Sequence, residues 1–300
     1  MKKQLKGIAL TVTLVVLAAA VYYTMGYQKE NKAVVIGNKG HAEQYILASM
    51  IQQLIEKNTD IKATVIDLSG GTPIIHEAMV AKQIDMYPEY SNSGWLYALQ
   101  HDPFDGTHEQ MMVEMKKEYH DKFGFEWFDF YGFDDSYAVA VRKETSDEYN
   151  LRTISDVAAI SGQLKFGANP DYYEVAGGYT ALAQAYDFKF ETVDLDIGLK
   201  YKALSEGQVD AINAFTTDGS LNRFELTILR DDKAFFQQFF ATTLIREETL
   251  AKYPQLRPVL DKLTGQISAE EMIAMNDQVE TEGRDPNDVA REFLEKKNLL

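Results

Sequence analysis

The chain has 300 residues, a formal net charge of −16 and 12% aromatic residues. This length allows two domains that each bury a hydrophobic core, and the acidic balance argues against nucleic acid as a partner. The sequence contains no cysteine, which excludes disulfides and a lipid-modified cysteine anchor.

The first 25 residues differ from the rest of the chain. Three lysines precede an uninterrupted apolar or small stretch at residues 7–23. A basic head followed by a hydrophobic segment is typical of an export signal, and Ala18–Ala20 offers a cleavage site. The segment is also just long enough to remain as an uncleaved membrane anchor. In both cases we expect the remaining chain to lie outside the cytoplasm, after a polar tether at residues 26–32.

The following residues alternate between strand and helix patterns. Ala33–Gly37 and Ala63–Leu68 are short apolar runs that predict two strands. Between them, apolar residues recur from Ile46 to Ile55 at i, i+3 and i+4, the spacing of one helix face. Gly70-Gly71-Thr72-Pro73 opens the next helix, with Thr as its cap and Pro in the first turn, and a strand through Tyr87 follows. This order predicts an α/β lobe with a largely parallel sheet.

An aromatic stretch at Phe123–Phe133 leads to the predicted end of this lobe. We place the first crossing between lobes just after it, so that residues 33–134 form the first part of lobe I and residues 135–237 form lobe II. The chain crosses back near Phe235–Phe240, and residues 238–300 return to lobe I as charged helices. Two crossings form a hinge that lets the lobes close on a ligand.

A short phrase occurs twice in the sequence, 125 residues apart. Residues 83–94 and residues 208–219 both begin with Gln, an aliphatic residue and Asp. A short apolar strand follows and ends on an aromatic residue, Tyr90 or Phe215, before a hydroxyl residue and Gly. Each aromatic residue therefore lies at the carboxyl end of a strand, where open α/β sheets bind ligands. Either residue alone would be assigned to a core, but the repetition predicts two lobes that each contribute one ring to a shared cleft.

Enzyme motifs are absent from the sequence. HExxH, GxSxG, a P-loop and GxGxxG do not occur, and there is no cysteine nucleophile. The five histidines are scattered without the spacing of metal ligands. We therefore predict a binding protein rather than an enzyme, with no metal and no cofactor.

The abundant aromatic rings indicate which ligand chemistry the cleft suits. A quaternary ammonium group has no N–H to donate, so proteins hold it by charge and by the faces of aromatic rings, at roughly 0.5–2 kcal/mol a ring. Four rings would supply up to about 8 kcal/mol, which is comparable with micromolar affinity before ordering costs.

Four segments of the chain resemble the substrate-binding proteins of osmoprotectant ABC importers, those for glycine betaine, carnitine and choline. The segments are Gly37-x-Lys39-x-x-x-Glu43-Gln44, Ile84–Tyr90, Tyr131–Tyr137 and Phe215–Gly219. The resemblance runs from about Val34 to the carboxyl end. It implies a two-lobed α/β periplasmic-binding-protein fold of type II, with the ligand cleft between the lobes and two hinge crossings.

In that family a box of four tyrosines surrounds the trimethylammonium head. The matching positions here are Tyr90, Tyr137, Phe215 and Phe239, so the resemblance implies a drier cage with two phenylalanines. Asp135 matches an acidic residue near the cation, although a turn residue that caps the next strand fits the pattern equally well.

The same resemblance assigns polar contacts to the ligand's tail. Lys39 and Ser93 match positions that contact this tail, and Thr216, the hydroxyl residue after Phe215 in the matching segment, is a further candidate ligand-binding residue. Lys39 alone would be assigned to the surface, but its place between a first strand and a helix amino terminus suits contact with an anion. Betaine-selective relatives carry an Arg that clamps the carboxylate where this chain has Val175. That departure argues against glycine betaine and favours choline, carnitine or a larger trimethylammonium compound such as ergothioneine.

We therefore predict an exported, extracytoplasmic solute-binding protein that captures a quaternary ammonium compound of the choline, carnitine or betaine type. It delivers this ligand to the membrane permease of an ABC importer, and residues 7–23 also attach it to the membrane if they are not cleaved. Four alternatives stay open. They are ergothioneine as the ligand, an amino-acid or polyamine receptor of the same fold, an anchored sensor or adhesion domain, and an enzyme.

Overall fold

The computed structural model describes residues 33–68, 71–174, 178–195 and 199–300. The predicted export signal, the tether and Val175 lie outside these described residues. Within them, no helix combines the length and the apolar character that a bilayer-spanning segment needs.

The strands form two separate five-stranded sheets. The first sheet, in the order β2-β1-β3-β10-β4, contains β1 (Ala33–Asn38), β2 (Lys62–Asp67), β3 (Met86–Tyr90), β4 (Phe125–Trp127) and β10 (Ala241–Arg246). The second sheet, in the order β7-β6-β8-β5-β9, contains β5 (Tyr137–Arg142), β6 (Lys165–Ala168), β7 (Glu191–Asp194), β8 (Ala211–Phe215) and β9 (Leu226–Leu229). Because β5 to β9 lie in the second sheet and β10 returns to the first, the chain passes between the sheets twice.

Both sheets mix parallel and antiparallel pairs. β1 pairs in parallel with β2 and β3, and β6 pairs in parallel with β7 and β8. The first strand after each passage is antiparallel: β5 to β8 and β9, and β10 to β3 and β4. The prediction of parallel pairing is therefore confirmed for the strand-helix-strand units. It does not extend to β5 and β10, because their direction is set by the chain entering each sheet from the other one.

Helices cover both sheets, and we call each sheet with its helices a lobe. The first lobe has α1 (Ala42–Asn58), α2 (Gly71–Val80), α3 (Ser91–Ser93), α4 (His108–Phe123), α11 (Glu247–Lys252), α12 (Leu256–Leu260), α13 (Ala269–Glu280) and α14 (Pro286–Lys296). The second lobe has α5 (Lys143–Glu148), α6 (Ile154–Ile160), α7 (Pro170–Glu174), α8 (Tyr179–Tyr186), α9 (Lys200–Ser205) and α10 (Ser220–Arg223). Short 3₁₀ turns occur at Ser161–Gln163 and Asp261–Leu263, and a π-helix at Gly94–Ala98.

Each lobe has a hydrophobic core on both faces of its sheet. Along β3, Met86 packs in the cluster that also contains residues of α1 and α12 to α14, whereas Tyr87 packs with residues of α2 and α4. Along β10, Ile245 and Leu244 divide between the same two clusters. The second lobe likewise buries Val139 and Ala140 of β5 in different clusters. Because the strands are buried on both faces, each lobe has its own hydrophobic core.

Candidate functional site

Strand ends place four aromatic residues at the junction of the lobes. Tyr90 ends β3 and Phe215 ends β8, as the repeated phrase predicts. Tyr137 begins β5 and is paired with Phe215 in the antiparallel ladder, so their rings stack with centroids 4.6 Å apart. Phe239 lies two residues before Ala241, which is the ladder partner of Tyr90. Backbone pairing thus brings the rings of Tyr137 and Phe215 together in the second sheet, and places Phe239 close in the chain to the partner of Tyr90 in the first.

The four rings line one cavity of about 410 Å³. Its wall also contains Lys39, Ser93 and Asp135, so the structure brings together seven of the eight residues that the sequence predicts. Tyr90 belongs to the first lobe and Tyr137 to the second, which places the cavity between the two lobes.

Thr216 is the predicted residue that does not line this cavity. It borders a neighbouring cavity of about 640 Å³. Its hydroxyl donates to the backbone carbonyl of Asp134 at 2.6 Å and accepts from the backbone N–H of Ser136 at 3.0 Å. Thr216 therefore holds the chain where it enters the second lobe, instead of facing the four rings.

The two passages between the lobes are hydrogen-bonded to each other. Asp134 forms an antiparallel bridge with Phe240, and its carboxylate accepts from the backbone N–H of Phe239 at 2.5 Å. The backbone N–H of Asp135 donates to the carbonyl of Phe239 at 3.1 Å. This pairing fixes the Asp135 carboxylate and the Phe239 ring in the same wall of the cavity.

The charge of Lys39 is already balanced inside the first lobe. Its ammonium forms an ion pair with Glu89, whose side chain is fully buried, and donates to the Thr72 hydroxyl at 2.9 Å. The same ammonium lies 4.8 Å from the centroid of the Tyr90 ring. A ligand anion would have to compete with Glu89 for Lys39, so the structure weakens the expectation that Lys39 serves as an anion contact.

Asp135 supplies the carboxylate that faces the rings. It accepts a hydrogen bond from the Thr217 hydroxyl at 2.9 Å. Burial raises the pKa of Asp135 well above its usual range, and the nearby Glu43 carboxyl raises it further. Burial also raises the pKa of Glu43. A cation in the cavity would act in the opposite direction, because it favours the charged form of a neighbouring carboxyl.

These shifts predict a pH dependence of stability. The unfolded chain loses the protons of Asp135 and Glu43 near their ordinary values of 3.8 and 4.5, whereas the folded chain keeps them to higher pH. The contribution of these groups is therefore greatest below those values and is lost as pH rises above them, by up to about 1.4 kcal/mol per pH unit per group. We expect thermal melts of the ligand-free protein between about pH 4 and about pH 8 to show a smaller decline for Asp135→Asn than for the unmodified chain. Identical slopes would contradict the assignment.

Two residues of the cavity wall have no clear signal in the sequence. Tyr97 lies in the π-helix at Gly94–Ala98, an element that recurs at functional sites, and its side chain is 52% exposed. His41 precedes the first turn of α1. Part of its surface is exposed, but desolvation of its imidazole by the surrounding protein, followed by the Lys39 charge, lowers its pKa to about 4. His41 is therefore neutral at about pH 7. In the sequence, only the closeness of Tyr97 to Tyr90 and of His41 to Gly40 could have pointed to these two residues.

Known proteins share this architecture and sequence. A solved structure described as a glycine betaine/carnitine/choline ABC transporter is 31% identical, with a TM-score of 0.84, and the match covers 89% of this chain and 98% of that one. The likeness confirms the predicted type II periplasmic-binding-protein fold with two lobes.

Two curated relatives are each 34% identical to the chain. One is the carnitine transport binding protein of Listeria monocytogenes, matched over 88% of this chain and 87% of its own length. The other is the ergothioneine transport permease/ergothioneine binding protein of Helicobacter pylori, matched over 94% of this chain. The chain spans only 51% of the length of the Helicobacter protein.

A family model covers nearly all of the described chain. It represents the substrate binding domain of ABC-type glycine betaine transport systems and matches residues 32–296. Together with the two-lobed fold and the ring-lined cavity, this match shows that the chain belongs to the family of substrate-binding domains of ABC-type glycine betaine transport systems.

Proposed function

We propose that the chain binds a quaternary ammonium compound of the choline, carnitine or betaine type between its lobes and presents it to an ABC permease. The observation that carries this proposal is the convergence of Tyr90, Tyr137, Phe215 and Phe239 on one cavity that also contains the Asp135 carboxylate. Ring faces and a carboxylate are the groups that stabilise a cation without N–H donors.

The charges around the cavity support a cationic ligand. Lys39 contributes a positive charge, but the buried Glu89 balances it. Burial raises the pKa of Asp135, so that the free protein holds this carboxyl in its neutral form to higher pH than usual. A bound ammonium group would favour loss of the proton from Asp135. The resulting carboxylate would balance the charge of the ligand, so the cavity would stay nearly neutral.

Two observations bear on which member of this class the chain binds. The predicted absence of a carboxylate clamp at Val175 argues against a short betaine such as glycine betaine, and favours choline, which has no carboxylate, or carnitine, whose carboxylate lies farther from the ammonium group. The Listeria relative is named for carnitine and the Helicobacter relative for ergothioneine. Ergothioneine is therefore the second candidate, since it also carries a trimethylammonium group.

Calorimetric titration tests the proposal directly. The chain without residues 1–30 is titrated with choline, carnitine, ergothioneine and glycine betaine, and we expect about micromolar affinity for at least one of them. A matched control is 3,3-dimethylbutan-1-ol, the neutral carbon isostere of choline. We expect choline to bind at least about tenfold more tightly than this alcohol, because the alcohol fills the same volume without a charge for the rings to stabilise.

Two outcomes of the titration would contradict the proposal. If none of the four compounds binds, the proposal that the ligand is a quaternary ammonium compound is wrong. Equal binding of choline and its neutral isostere would show that the cavity selects shape rather than charge.

We place the protein outside the cytoplasm, as its family and its predicted export signal support. The permease of an ABC importer is the partner that the family description implies. Retention of residues 7–23 as an anchor would keep the protein at the membrane beside that permease. An anchored sensor remains the alternative, and a permease gene next to the gene for this chain would favour transport over sensing.

A further inference from the structure

Glu43 belongs to the first segment of the family resemblance, yet it does not line the cavity. It lies on α1 with only 3% of its surface exposed. Its Oε1 accepts a hydrogen bond from the Tyr90 hydroxyl at 2.6 Å, and its Oε2 accepts from the Asn276 side-chain amide at 3.1 Å. One carboxyl group thus contacts a ring of the cavity and a residue of α13.

Asn276 carries this contact across to the second lobe. It lies on α13 and is 3% exposed. Its amide nitrogen also donates to the backbone carbonyl of Thr217 at 2.8 Å, two residues beyond the end of β8. An amide nitrogen has two hydrogens to donate, so Glu43 and Thr217 use both. A continuous series of hydrogen bonds therefore runs from Tyr90 through Glu43 and Asn276 to Thr217.

The surroundings of Glu43 are acidic rather than basic. Asp135, Asp218 and Glu280 all interact with it electrostatically. Among the described residues, no Lys or Arg forms an ion pair with Glu43. Its position is therefore set by hydrogen bonds, chiefly those from Tyr90 and Asn276, with the side chain of Thr217 also close enough to interact with it.

The geometry has a consequence for lobe closure. The bond from Asn276 to Thr217 exists only while α13 touches the second lobe. When this bond is broken, Asn276 loses one of its two acceptors and positions Glu43 less firmly. Glu43 in turn accepts the hydrogen bond from the Tyr90 hydroxyl. Contact between the lobes and the orientation of the Tyr90 ring are thus linked through two buried side chains.

We propose that Glu43 is a positioning residue that, together with Asn276, couples the orientation of the Tyr90 ring to contact between the lobes. This inference rests on the proposed function, because it describes how the same cavity is regulated. It assigns Glu43 and Asn276 an effect on ligand binding although neither lines the cavity.

Asn276→Leu tests the coupling, and Asn222→Ala is its matched control. Leucine is close to asparagine in size but donates to neither Glu43 nor Thr217. Asn222 also joins α13 to the second lobe, through a bond from its amide to the Asp277 carboxylate at 3.0 Å, but that bond is exposed and does not lead to Tyr90. Comparison of the two variants therefore distinguishes the effect of losing this series of hydrogen bonds from the effect of losing any one contact between the lobes.

The distance between the lobes can be followed in the full chain by fluorescence energy transfer. The sequence has no cysteine, so cysteines introduced at Lys57 and Tyr149, which are exposed on different lobes, would be the only labelled positions. We expect Asn276→Leu to lengthen this distance already without ligand and to weaken binding about tenfold. Asn222→Ala should leave the distance unchanged and the affinity within about twofold.

A double-mutant cycle shows whether Glu43 acts through Tyr90. Tyr90→Phe keeps the ring face and removes the hydroxyl that donates a hydrogen bond to Glu43. We expect Glu43→Gln to weaken binding about fivefold in the unmodified chain and to have little effect in the Tyr90→Phe chain. A residue with a merely structural role would show the same loss in both chains.

The outcomes separate this inference from the proposed function. If the unmodified chain binds none of the four compounds, the proposed function fails, and the ligand-free distance of Asn276→Leu still decides the coupling. If Asn276→Leu keeps the distance and affinity of Asn222→Ala, the coupling is overturned while the function stands. Should Asn276→Leu not fold, a full effect of Glu43→Gln in the Tyr90→Phe chain overturns the inference on its own.

Discussion

Replacement of Tyr137 by alanine is expected to weaken ligand binding roughly 30- to 140-fold. The variant removes one ring face from the cavity and the ring that stacks on Phe215 at 4.6 Å. A cation–π contact and the apolar area of one ring together contribute about 2–3 kcal/mol, and each 1.4 kcal/mol is a factor of about ten. Calorimetry with the ligand that binds most tightly measures the loss.

Two further variants show whether the ring face of Tyr137 is the cause. Tyr149→Ala removes a tyrosine of the same lobe that is 52% exposed and does not line the cavity, and we expect the affinity of this variant to stay within about twofold. Tyr137→Phe keeps the face and should stay within about threefold. If Tyr137→Phe were as damaging as Tyr137→Ala, the hydroxyl rather than the face would be the binding group.

The aromatic part of the cavity could be predicted because its signals are local. Tyr90 and Phe215 each follow a short apolar run, and the sheet then places the end of that run at its carboxyl edge. Tyr137 and Phe239 came from the family resemblance; strand pairing brings Tyr137 beside Phe215, and Phe239 lies two residues before the ladder partner of Tyr90. The repeated pattern thus predicted two rings of the cavity, and the family resemblance was needed for the other two.

The electrostatics of the cavity could not be predicted in the same way. Lys39 and Glu89 are 50 residues apart, and only the fold shows that they neutralise each other. Thr216 adjoins Phe215 in sequence, but it already belongs to the turn that follows β8, where the alternation of a strand no longer predicts the direction of a side chain. Its hydroxyl donates to the backbone carbonyl of Asp134, and the side chain does not line the cavity of the four rings.

The contact between the lobes was also invisible in the sequence. Asn276 of the first lobe and Thr217 of the second are 59 residues apart, and neither belongs to a motif for contacts between lobes. Such pairs depend on how two separately folded lobes dock, which no periodicity within one lobe encodes. The same limit applies to Gly219, which ends the second copy of the repeated phrase and whose importance depends on a helix of the other lobe.

Gly219→Ala is expected to hold the lobes apart and to weaken ligand binding by about tenfold or more. Gly219 precedes α10 with φ −59° and ψ −31°, a backbone conformation that alanine adopts without strain. A Cβ atom at this position would lie 2.5 Å from the backbone nitrogen of Asp277 and 2.8 Å from the backbone carbon of Asn276. Because these are backbone atoms of α13, no side chain can rotate away to make room, and α10 and α13 must separate.

The separation should affect closure without affecting the fold of either lobe. Each lobe has its own hydrophobic core, so we expect the ligand-free thermal midpoint of Gly219→Ala to stay within about 2 °C of the unmodified chain. Gly162→Ala is the matched control, since its Cβ would meet only the Cβ of Lys189, at 3.6 Å. Calorimetry and the distance between the labelled lobes measure the two effects. Tight binding by Gly219→Ala at an unchanged distance between the lobes would show that α13 yields locally, and that its contact with Gly219 does not limit closure.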